Sequence, residues 1–458
     1  MKTYFDEFDQ QAALRTFPIG DAFLEHFRRL SRDELRAGQE AQFERLMARG
    51  WQVPFYQRLW RGAGIEPGDV RSLDDLPKLP TYTKGDLMQS IGAHPPYGDF
   101  HGMEPGQRVI MHTTSGTTGR PQTLLFGPTS REIQNLLLAR VYLLQGLRRE
   151  DVVHSVYGFG MINGGHYIRE TFLHFTECKF LPAGTGVETR SVQQIELMRD
   201  FRATVLVGFA DYMRKLAQTA VEMDVMPGRD IPMRMISGHM GRESKKTISD
   251  MWGGADVYDW YGVGDTGVIA GEGPDHAGLY LMEDAHQVEI VDPETHLAVE
   301  EGMTGNLVDT VLFKHDVYPI IRFDTQDVTR ALPGVSPLGI NLRRIEGFLG
   351  RSDNMVKLRG INVYPHAIPA HLTAFPECSG EYVCRVERDA TGRDELTVAV
   401  EVRGERSEAL ASRLREHLKA RLGVDVRVAL EPPDALLPLT QVESRQKAIR
   451  LIDTRFAR

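Results

Sequence analysis

The sequence predicts an α/β fold: a large N-terminal domain with mixed or parallel sheets flanked by helices, an antiparallel β subdomain, and a small α+β C-terminal domain. Short apolar runs alternate with helix-like segments through the first half of the chain, which is typical of a parallel sheet covered by helices. After about residue 278 short strands follow one another with only turn residues between them, which favours antiparallel pairing. The apolar runs are 109–111, 152–158, 203–209 and 233–237, and the helix-like segments are 130–145, 191–200 and 211–223.

The N-terminal hundred residues divide into a helical and an irregular part. Residues 21–49 are rich in charge and place Leu30, Leu35 and Phe43 at helical spacing, which predicts amphipathic helix. The following stretch, up to about residue 107, is expected to be mostly irregular because prolines interrupt it repeatedly. These prolines are Pro54, Pro67, Pro77 and Pro80.

The C-terminal hundred residues have the pattern of a separate α+β domain. Residues 407–422 predict one helix, since leucines recur at every fourth position. Strands are expected at 382–388, 395–402 and 425–431, with a hairpin turn between the first two. The polar stretch 350–354 marks the boundary, so the predicted domains are residues 1–350 and 351–458.

Composition excludes several classes of protein. The chain has 458 residues, of which 41% are apolar, and its 54 basic and 63 acidic residues give a net charge of −9. An acidic chain is a poor general nucleic-acid binder, because that affinity depends on neutralising phosphates. No apolar stretch approaches the 18 residues of a membrane span, and the N-terminus lacks an apolar signal core. We therefore expect a cytoplasmic enzyme that binds neither nucleic acid nor membrane.

The most informative segment follows the strand-like run 109–111 and reads HTTSGTTGRP. Its glycines permit unusual backbone angles, so that successive amides can point into one concavity and bind an anion, with hydroxyl groups as further donors. The pattern differs from a P-loop, because no Gly-Lys-Ser/Thr follows. A polar turn is the alternative interpretation. The candidate phosphate-binding residues are Thr114, Ser115, Gly116, Thr117, Thr118 and Gly119.

This loop resembles the phosphate loop of the adenylate-forming superfamily, and further segments are similar to its phenylacetate–CoA ligase branch. The resemblance extends from about residue 50 to residue 455, with several motifs in the same order. It implies an adenylation domain that binds ATP and an acid, and a mobile C-terminal domain. The segments that carry it, besides the loop, are Val53–Tyr56, Leu76–Pro80, Thr83–Leu87, Val156–Gly160 and Gln194–Asp200.

The segment YDWYGVGDTG, residues 258–267, is similar to the superfamily motif that reads Tyr-Gly, any residue, Thr or Ser, then Glu. The resemblance implies that Tyr261 lies along the adenine and that Asp265 helps to hold Mg²⁺. Gly264 stands where the family has a hydroxyl that bonds the α-phosphate, and Thr266 is the expected substitute. Gly262, Gly238 and His239 are further nucleotide-binding positions that the resemblance implies.

Three later motifs complete the resemblance. Asp327 would accept the ribose hydroxyls, although the family's preceding glycine is Gln326 here. Arg351 would assist at the ribose or phosphate, Asp353 would be the hinge, and Lys357 and Gly360 would face the thiol channel. Lys447 occupies the position of the lysine that reaches the carboxylate and α-phosphate during adenylation.

The acyl pocket is implied at aromatic positions of this branch, which suits a flat apolar acid. The candidates are Tyr157, Phe159, Gly160, Phe209 and Tyr212, and ordinary core packing is the alternative interpretation for the aromatic ones.

The resemblance implies an ATP-dependent, AMP-forming ligase that makes the CoA thioester of an aromatic or arylacetic acid, with Lys447 and Asp265 as catalytic residues. Alternatives stay open at this stage. The acyl group could pass to the phosphopantetheine of a carrier protein, an unusual oxyanion could replace the carboxylate, or the chain could be a degenerate nucleotide-binding protein. A homodimer is implied only by analogy with the branch.

Overall fold

The computed structural model describes residues 3–104, 106–114, 121–241, 243–352, 356–358, 361–388, 393–445 and 448–455, with the backbone alone for residues 357, 361, 362 and 366. The helices are α1 Gln10–Thr16, α2 Gly20–Arg29, α3 Arg32–Gly50, α4 Pro54–Gly62, α5 Lys84–Ala93, α6 Pro128–Leu144, α7 Asn163–Phe175, α8 Ser191–Asp200, α9 Ala210–Glu222, α10 Lys245–Met251, α11 Ile368–Leu372, α12 Glu408–Leu422 and α13 Leu437–Thr440.

The strands are β1 Ile110–Thr113, β2 Thr123–Phe126, β3 Val152–Ser155, β4 Lys179–Pro182, β5 Val205–Phe209, β6 Met235–His239, β7 Asp256–Val263, β8 Gly267–Glu272, β9 Leu279–Leu281, β10 His286–Val291, β11 Thr304–Val311, β12 Phe323–Leu332, β13 Arg344–Ile345, β14 Gly350–Arg351, β15 Val356–Leu358, β16 Ile361–Val363, β17 Cys378–Arg388, β18 Asp394–Val402, β19 Arg427–Glu431 and β20 Leu451–Asp453.

The elements fall into two compact units. Unit 1 comprises residues 1–151, 159–182 and 258–347, and unit 2 comprises residues 152–158, 183–257 and 348–458. The α/β class predicted from strand–helix alternation is confirmed, and so is the antiparallel subdomain. Across the described residues, no helix combines the length and the apolar character that crossing a membrane requires.

Unit 1 is built around an antiparallel sheet with the order β10-β11-β12-β13-β9-β8-β7. Helix α6 packs against β8 and α7, and its side chains are buried almost throughout its length. A short hairpin pairs β1 with β2 in the same unit, with Thr113 opposite Thr123. The candidate phosphate loop therefore connects two antiparallel strands, at the end of the hairpin where residues 114 and 122 face each other.

Unit 2 contains a parallel sheet and a mixed sheet. Strands β3, β5 and β6 run parallel, and α8, α9 and α10 bury their apolar faces in one core cluster with them. In the C-terminal part the order is β19-β18-β17-β20, where only β17 and β18 pair antiparallel. Helix α12 covers this second sheet with Leu410, Leu414 and Leu418, as its leucine spacing predicts.

Of the two predictions for the N-terminal residues, the first is confirmed and the second is wrong. The helical structure expected over 21–49 is present as two helices, α2 and α3, because Ser31 caps α3: its hydroxyl accepts from the Glu34 amide, and the Glu34 carboxylate accepts from the Ser31 amide. The stretch expected to be irregular contains α4 and α5. Pro54 occupies the first turn of α4, where the missing amide costs nothing, and Thr83 caps α5.

Candidate active site

The turn between β7 and β8 carries Asp265, the candidate metal ligand. The two strands approach so closely that a Cβ on Gly262 would lie 2.2 Å from the carbonyl oxygen of Gly267. Only glycine permits this approach, which accounts for the Tyr-Gly pair in the motif. A register shift between Tyr261 and Gly262 bends the strand at the same point. The backbone therefore places Asp265 at a fixed point of the hairpin.

Two hydrogen bonds orient the carboxylate of Asp265, and both end on one oxygen. Oδ1 accepts from Gln122 Nε2 at 2.6 Å and from the Tyr318 hydroxyl at 2.8 Å. The residue is only 5% exposed, and Oδ2 receives no hydrogen bond from any residue that the structure describes. An ionised carboxylate has lone pairs on both oxygens. One oxygen thus fixes the side chain while the other is left to accept a ligand.

A buried lysine, Lys314, holds the backbone at the same point. Its Nζ donates to the Asp265 carbonyl oxygen at 2.8 Å and lies 4.8 Å from the ring centroids of both Phe126 and Tyr318. Burial lowers the pKa of Lys314 to about 8, although the nearby Asp316 and Asp265 carboxylates oppose that shift. The ammonium group therefore adds a positive charge next to the candidate metal ligand.

The sequence interpretation missed three of these residues: Gln122, Lys314 and Tyr318. A weak signal was present for Lys314, which directly follows the apolar run 311–313 of the antiparallel subdomain. A lysine at the end of such a run is more often exposed than buried, so the signal needed the fold to become meaningful. Gln122 and Tyr318 lie 143 and 53 residues from Asp265 in the sequence, and no spacing rule connects them.

A second cluster joins Tyr261 on β7 to Asp327 on β12. The Tyr261 hydroxyl donates to Asp327 Oδ2 at 2.8 Å and to Thr325 Oγ1 at 3.2 Å, and the Asp327 amide donates to the same hydroxyl of Thr325. All three residues are buried. The aromatic and carboxylate positions that the resemblance assigns to adenine and ribose are therefore held together by direct hydrogen bonds.

The departure at Gln326 leaves the backbone shape intact. Gln326 has φ +59°, the left-handed conformation that glycine adopts most easily, so the family's glycine has a physical reason here. Its amide donates to Asp324 Oδ1 at 2.8 Å, and Asn306 Nδ2 donates to both oxygens of that carboxylate. A non-glycine residue in this conformation costs on the order of 1–3 kcal/mol, which the buried Asp324 contacts help to offset.

The base of the candidate phosphate loop is described, whereas the loop itself is not. The Thr114 amide donates to the Gln122 carbonyl, and the Thr114 hydroxyl accepts from the Gln122 amide and from Lys84 Nζ at 3.3 Å. The predicted loop residues Ser115, Gly116, Thr117, Thr118 and Gly119 lie outside the described residues. Gln122 thus connects the end of this loop to Asp265.

Gly264 and Thr266 flank Asp265 in different settings. Among the residues that the structure describes, a Cβ on Gly264 would meet only Leu124 Cδ1, at 3.4 Å, so that these residues leave room for a small side chain. Thr266 is fully buried, and its hydroxyl donates to the Gly267 carbonyl at 3.0 Å. Because that hydroxyl is engaged within the hairpin, the role of Thr266 as the substitute phosphate contact stays a prediction.

In unit 2, three ring-bearing residues cluster at the carboxyl ends of parallel strands. Phe209 and His239 end β5 and β6 in register, with ring centroids 4.7 Å apart, and Tyr157 lies 5.2 Å from Phe209. Gly238 is required beside them, since a Cβ there would lie 1.8 Å from the Gly208 carbonyl oxygen. The carboxyl ends of parallel strands are where open α/β sheets bind ligands.

The other predicted pocket residues lie elsewhere. Tyr212, on α9, is buried in the core of unit 2, and its hydroxyl contacts Ser191 and Gln194. Phe159 and Gly160 belong to unit 1, where both contact His166: the Phe159 ring packs edge-on, and the Gly160 carbonyl lies 2.8 Å from its Nε2. The structure therefore groups Tyr157 with Phe209 and leaves the acyl role of all five residues a prediction.

The predicted hinge and tail residues are described only in part. Arg351 is half-buried at the end of β14. Asp353, Gly360 and Lys447 lie outside the described residues, and for Lys357 the structure describes the backbone alone, in β15.

Comparison with known proteins gives a consistent result. Residues 360–455 match the family model of the AMP-binding enzyme C-terminal domain. The phenylacetate-coenzyme A ligase of Aromatoleum evansii is 30% identical over 454 residues, which cover 94% of this chain and 97% of that enzyme. The phenylacetate-coenzyme A ligase of Thermus thermophilus is 31% identical over 434 residues, covering 88% of this chain and 94% of that enzyme.

Solved structures extend the comparison to the fold. A crystal structure of 2-hydroxyisobutyryl-CoA ligase in the postadenylation state, 26% identical, superposes with a TM-score of 0.83 over 94% of this chain and 91% of that one. The same enzyme with an acyl-AMP and CoA in the thioesterification state superposes with a TM-score of 0.68 over 94% and 92%. The chain therefore belongs to the phenylacetate–CoA ligase family of adenylate-forming enzymes, and it is an AMP-forming acid–thiol ligase.

Proposed function

We propose that this ligase activates an aromatic or arylacetic acid with ATP and Mg²⁺, and that Asp265 presents one carboxylate oxygen to the metal. The observation that carries the proposal is the Asp265 arrangement: Oδ1 is tied by Gln122 and Tyr318, while Oδ2 receives no hydrogen bond from the described residues. A buried, oriented carboxylate oxygen is a hard ligand of the kind that Mg²⁺ prefers. The donor set at this point of the hairpin thus fits the metal that the family implies.

Activation of the acid solves a leaving-group problem. A carboxylate is a poor acyl donor, whereas attack of its oxygen on the α-phosphorus of ATP releases pyrophosphate and leaves the acyl group on AMP. That step brings two anions together, so positive charge and aimed donors lower its barrier. When bound, Mg²⁺ supplies charge neutralisation on the phosphates. Asp265 would hold it, and Thr114 with the loop after it would donate to the phosphates.

The nucleotide would be oriented by the Tyr261–Asp327 cluster. Asp327 Oδ2 already accepts the Tyr261 hydroxyl at 2.8 Å, so that the aromatic face for adenine and the carboxylate for ribose move as one unit. Orientation of the reacting groups before the step contributes several kcal/mol in well-organised sites, on the order of 7–11 kcal/mol at most.

Lys447 would complete the adenylation site from the C-terminal domain, residues 351–458. In this proposal the ammonium group bridges the attacking carboxylate and the α-phosphate. A rotation about Asp353 then removes Lys447, and the CoA sulfur attacks the acyl carbon and displaces AMP. Only a few loop positions need to absorb such a rotation. We also propose a cytoplasmic location, where both ATP and CoA are available.

Acid specificity is the first point to test. The Tyr157–Phe209 pair and the similarity to enzymes named phenylacetate-coenzyme A ligase favour benzoic, phenylacetic and cinnamic acids. The match to a 2-hydroxyisobutyryl-CoA ligase makes an aliphatic hydroxy acid the alternative. Pyrophosphate release is measured with each acid, with and without CoA. We expect acid-dependent release from an aromatic acid and thioester formation only with CoA. Release without any acid would contradict the proposal, and transfer to a phosphopantetheinylated carrier protein alone would replace CoA as the acceptor.

Lys447→Ala is expected to separate the two half-reactions. Adenylation, measured as acid-dependent exchange of pyrophosphate into ATP, should fall roughly 10²–10³-fold, the range observed when one transition-state donor is removed. Thioester formation from preformed acyl-adenylate and CoA should be unchanged, because Lys447 has left the site by then. Arg445→Ala, on the same segment, is the control, and equal loss of both half-reactions in Lys447→Ala would refute the assigned role.

Gly264→Ser tests where the α-phosphate lies. The site has room for a small side chain, and the serine hydroxyl would restore the donor that the family has at this position. One added hydrogen bond should lower KM for ATP by a few-fold, about 2- to 10-fold. Gly264→Ala adds the Cβ without the hydroxyl and should leave KM unchanged. If serine and alanine behave alike, the phosphate does not lie at residue 264.

A further inference from the structure

One face of α9 is bonded to the C-terminal part of the chain. Asp211, Arg214, Lys215 and Gln218 occur at the spacing i, i+3, i+4 and i+7, which places them on one side of the helix. Each of them contacts residues of the 379–450 segment. The contacts are Asp211 with Arg450, Arg214 with Ser379 and Glu381, Lys215 with Asp434, and Gln218 with Ser379.

Glu381 is the centre of these contacts, because it accepts from two arginines. Arg450 Nη1 donates to Oε1 at 2.7 Å, and Arg214 Nη2 donates to Oε2 at 2.8 Å. The side chains of these three residues are at most 7% exposed. Burial alone would raise the pKa of Glu381, but the charges of Arg450 and Arg214 outweigh it and lower that pKa. The carboxylate is therefore ionised and fully paired.

Arg450 links this cluster to the tail that contains Lys447. Its second guanidinium nitrogen donates to Asp211 on α9, its first also donates to the Tyr382 carbonyl, and its own carbonyl accepts from Cys384 at 2.9 Å. Arg450 comes three residues after Lys447 and directly before β20, which pairs with β17. The same residue thus anchors the tail to the C-terminal sheet and to α9.

The chemistry of this contact suits a surface that opens. When two packed surfaces separate, exposing apolar side chains to water is unfavourable, whereas charged side chains regain their hydration. Interfaces between domains that move are accordingly more polar than permanent ones. Removing one partner of a closed, buried ion pair is nevertheless costly, because the other charge is left unpaired. Such a contact is stable when closed and tolerates separation when all partners leave together.

We propose that Asp211, Arg214, Glu381 and Arg450 form an α9 latch, which holds the C-terminal part in its adenylation arrangement and makes Arg450 the positioning residue for Lys447. The inference rests on the proposed function of Lys447. Better superposition on the relative in its postadenylation state than on the same enzyme in its thioesterification state supports this assignment of the latch. The latch opens when the C-terminal part moves to admit CoA.

The test is the ratio of the adenylation rate to the rate of thioester formation, measured in the Asp211→Asn variant and in the wild type. This change removes the charge but keeps the size of a side chain that is 26% exposed. Adenylation should fall roughly tenfold or more, in line with the loss of a hydrogen bond between charged groups. Thioester formation from preformed acyl-adenylate should be unchanged or faster. A structural defect alone would lower both half-reactions, so the ratio separates positioning from folding.

Asp230→Asn is the matched control, because Asp230 pairs with Arg229 on the surface of the same unit and makes no contact with the latch residues. It should behave like the wild type. If Asp211→Asn fails to fold, the Lys215→Gln variant, at the rim of the α9 face, is measured instead. The same lowered ratio of adenylation to thioester formation is expected for it. An unchanged ratio, or a parallel fall of both half-reactions, overturns the latch. Absence of acid-dependent exchange in the wild type would instead overturn the proposed function itself.

Discussion

The Asp265 carboxylate is held by two donors on a single oxygen, and the candidate metal ligand, the turn that carries it and the base of the candidate phosphate loop depend on that constraint. Gln122 and Tyr318 both end on Oδ1, Lys314 fixes the carbonyl of the same residue, and the close approach of β7 and β8 at Gly262 sets the backbone. In a buried site such hydrogen bonds are stronger than in water, and they need no rearrangement when charge develops. Gln122 also pairs with Thr114 through its backbone, so that the candidate metal ligand and the base of the candidate phosphate loop share one anchor.

The hydrogen bonds that fix the candidate site lie in unit 1, and the ion pairs that are proposed to open lie in unit 2. In unit 1, a hydrogen bond between β7 and β12 joins Tyr261 to Asp327, and hydrogen bonds from Gln122 and Tyr318 fix Asp265 in the turn after β7. In unit 2, the C-terminal part meets α9 through paired charges such as Arg450 and Glu381. A ligase that performs two half-reactions with one site needs both properties. In the proposed mechanism the phosphates meet preorganised groups, and the part that carries the proposed catalytic residue Lys447 leaves the site.

The sequence predicted the fold class, the helices of the parallel part and the helix and strands of the C-terminal residues, because periodicity and alternation are local signals. It failed in the stretch up to residue 107 that was expected to be irregular, where Pro54 in the first turn of α4 and capping by Thr83 allow two helices to form. At the candidate site, motif order singled out Asp265, Tyr261 and Asp327, whose functional roles stay predictions. It could not reveal Gln122, Lys314 or Tyr318, which reach Asp265 only through contacts distant in sequence. The glycine-to-glutamine departure at Gln326 looked disruptive in the sequence. The structure shows the left-handed backbone retained, with the amide bound to Asp324.

The most direct test of the central claim is a crystal structure with ATP, a non-reactive analogue of the acid, and Mn²⁺ in place of Mg²⁺, with the ion located by its anomalous scattering. We expect an ion bonded to Asp265 Oδ2, with Gln122 and Tyr318 still donating to Oδ1. An ion that binds the phosphates without Asp265, or a carboxylate that has turned away from Tyr318 to bind through both oxygens, would contradict it.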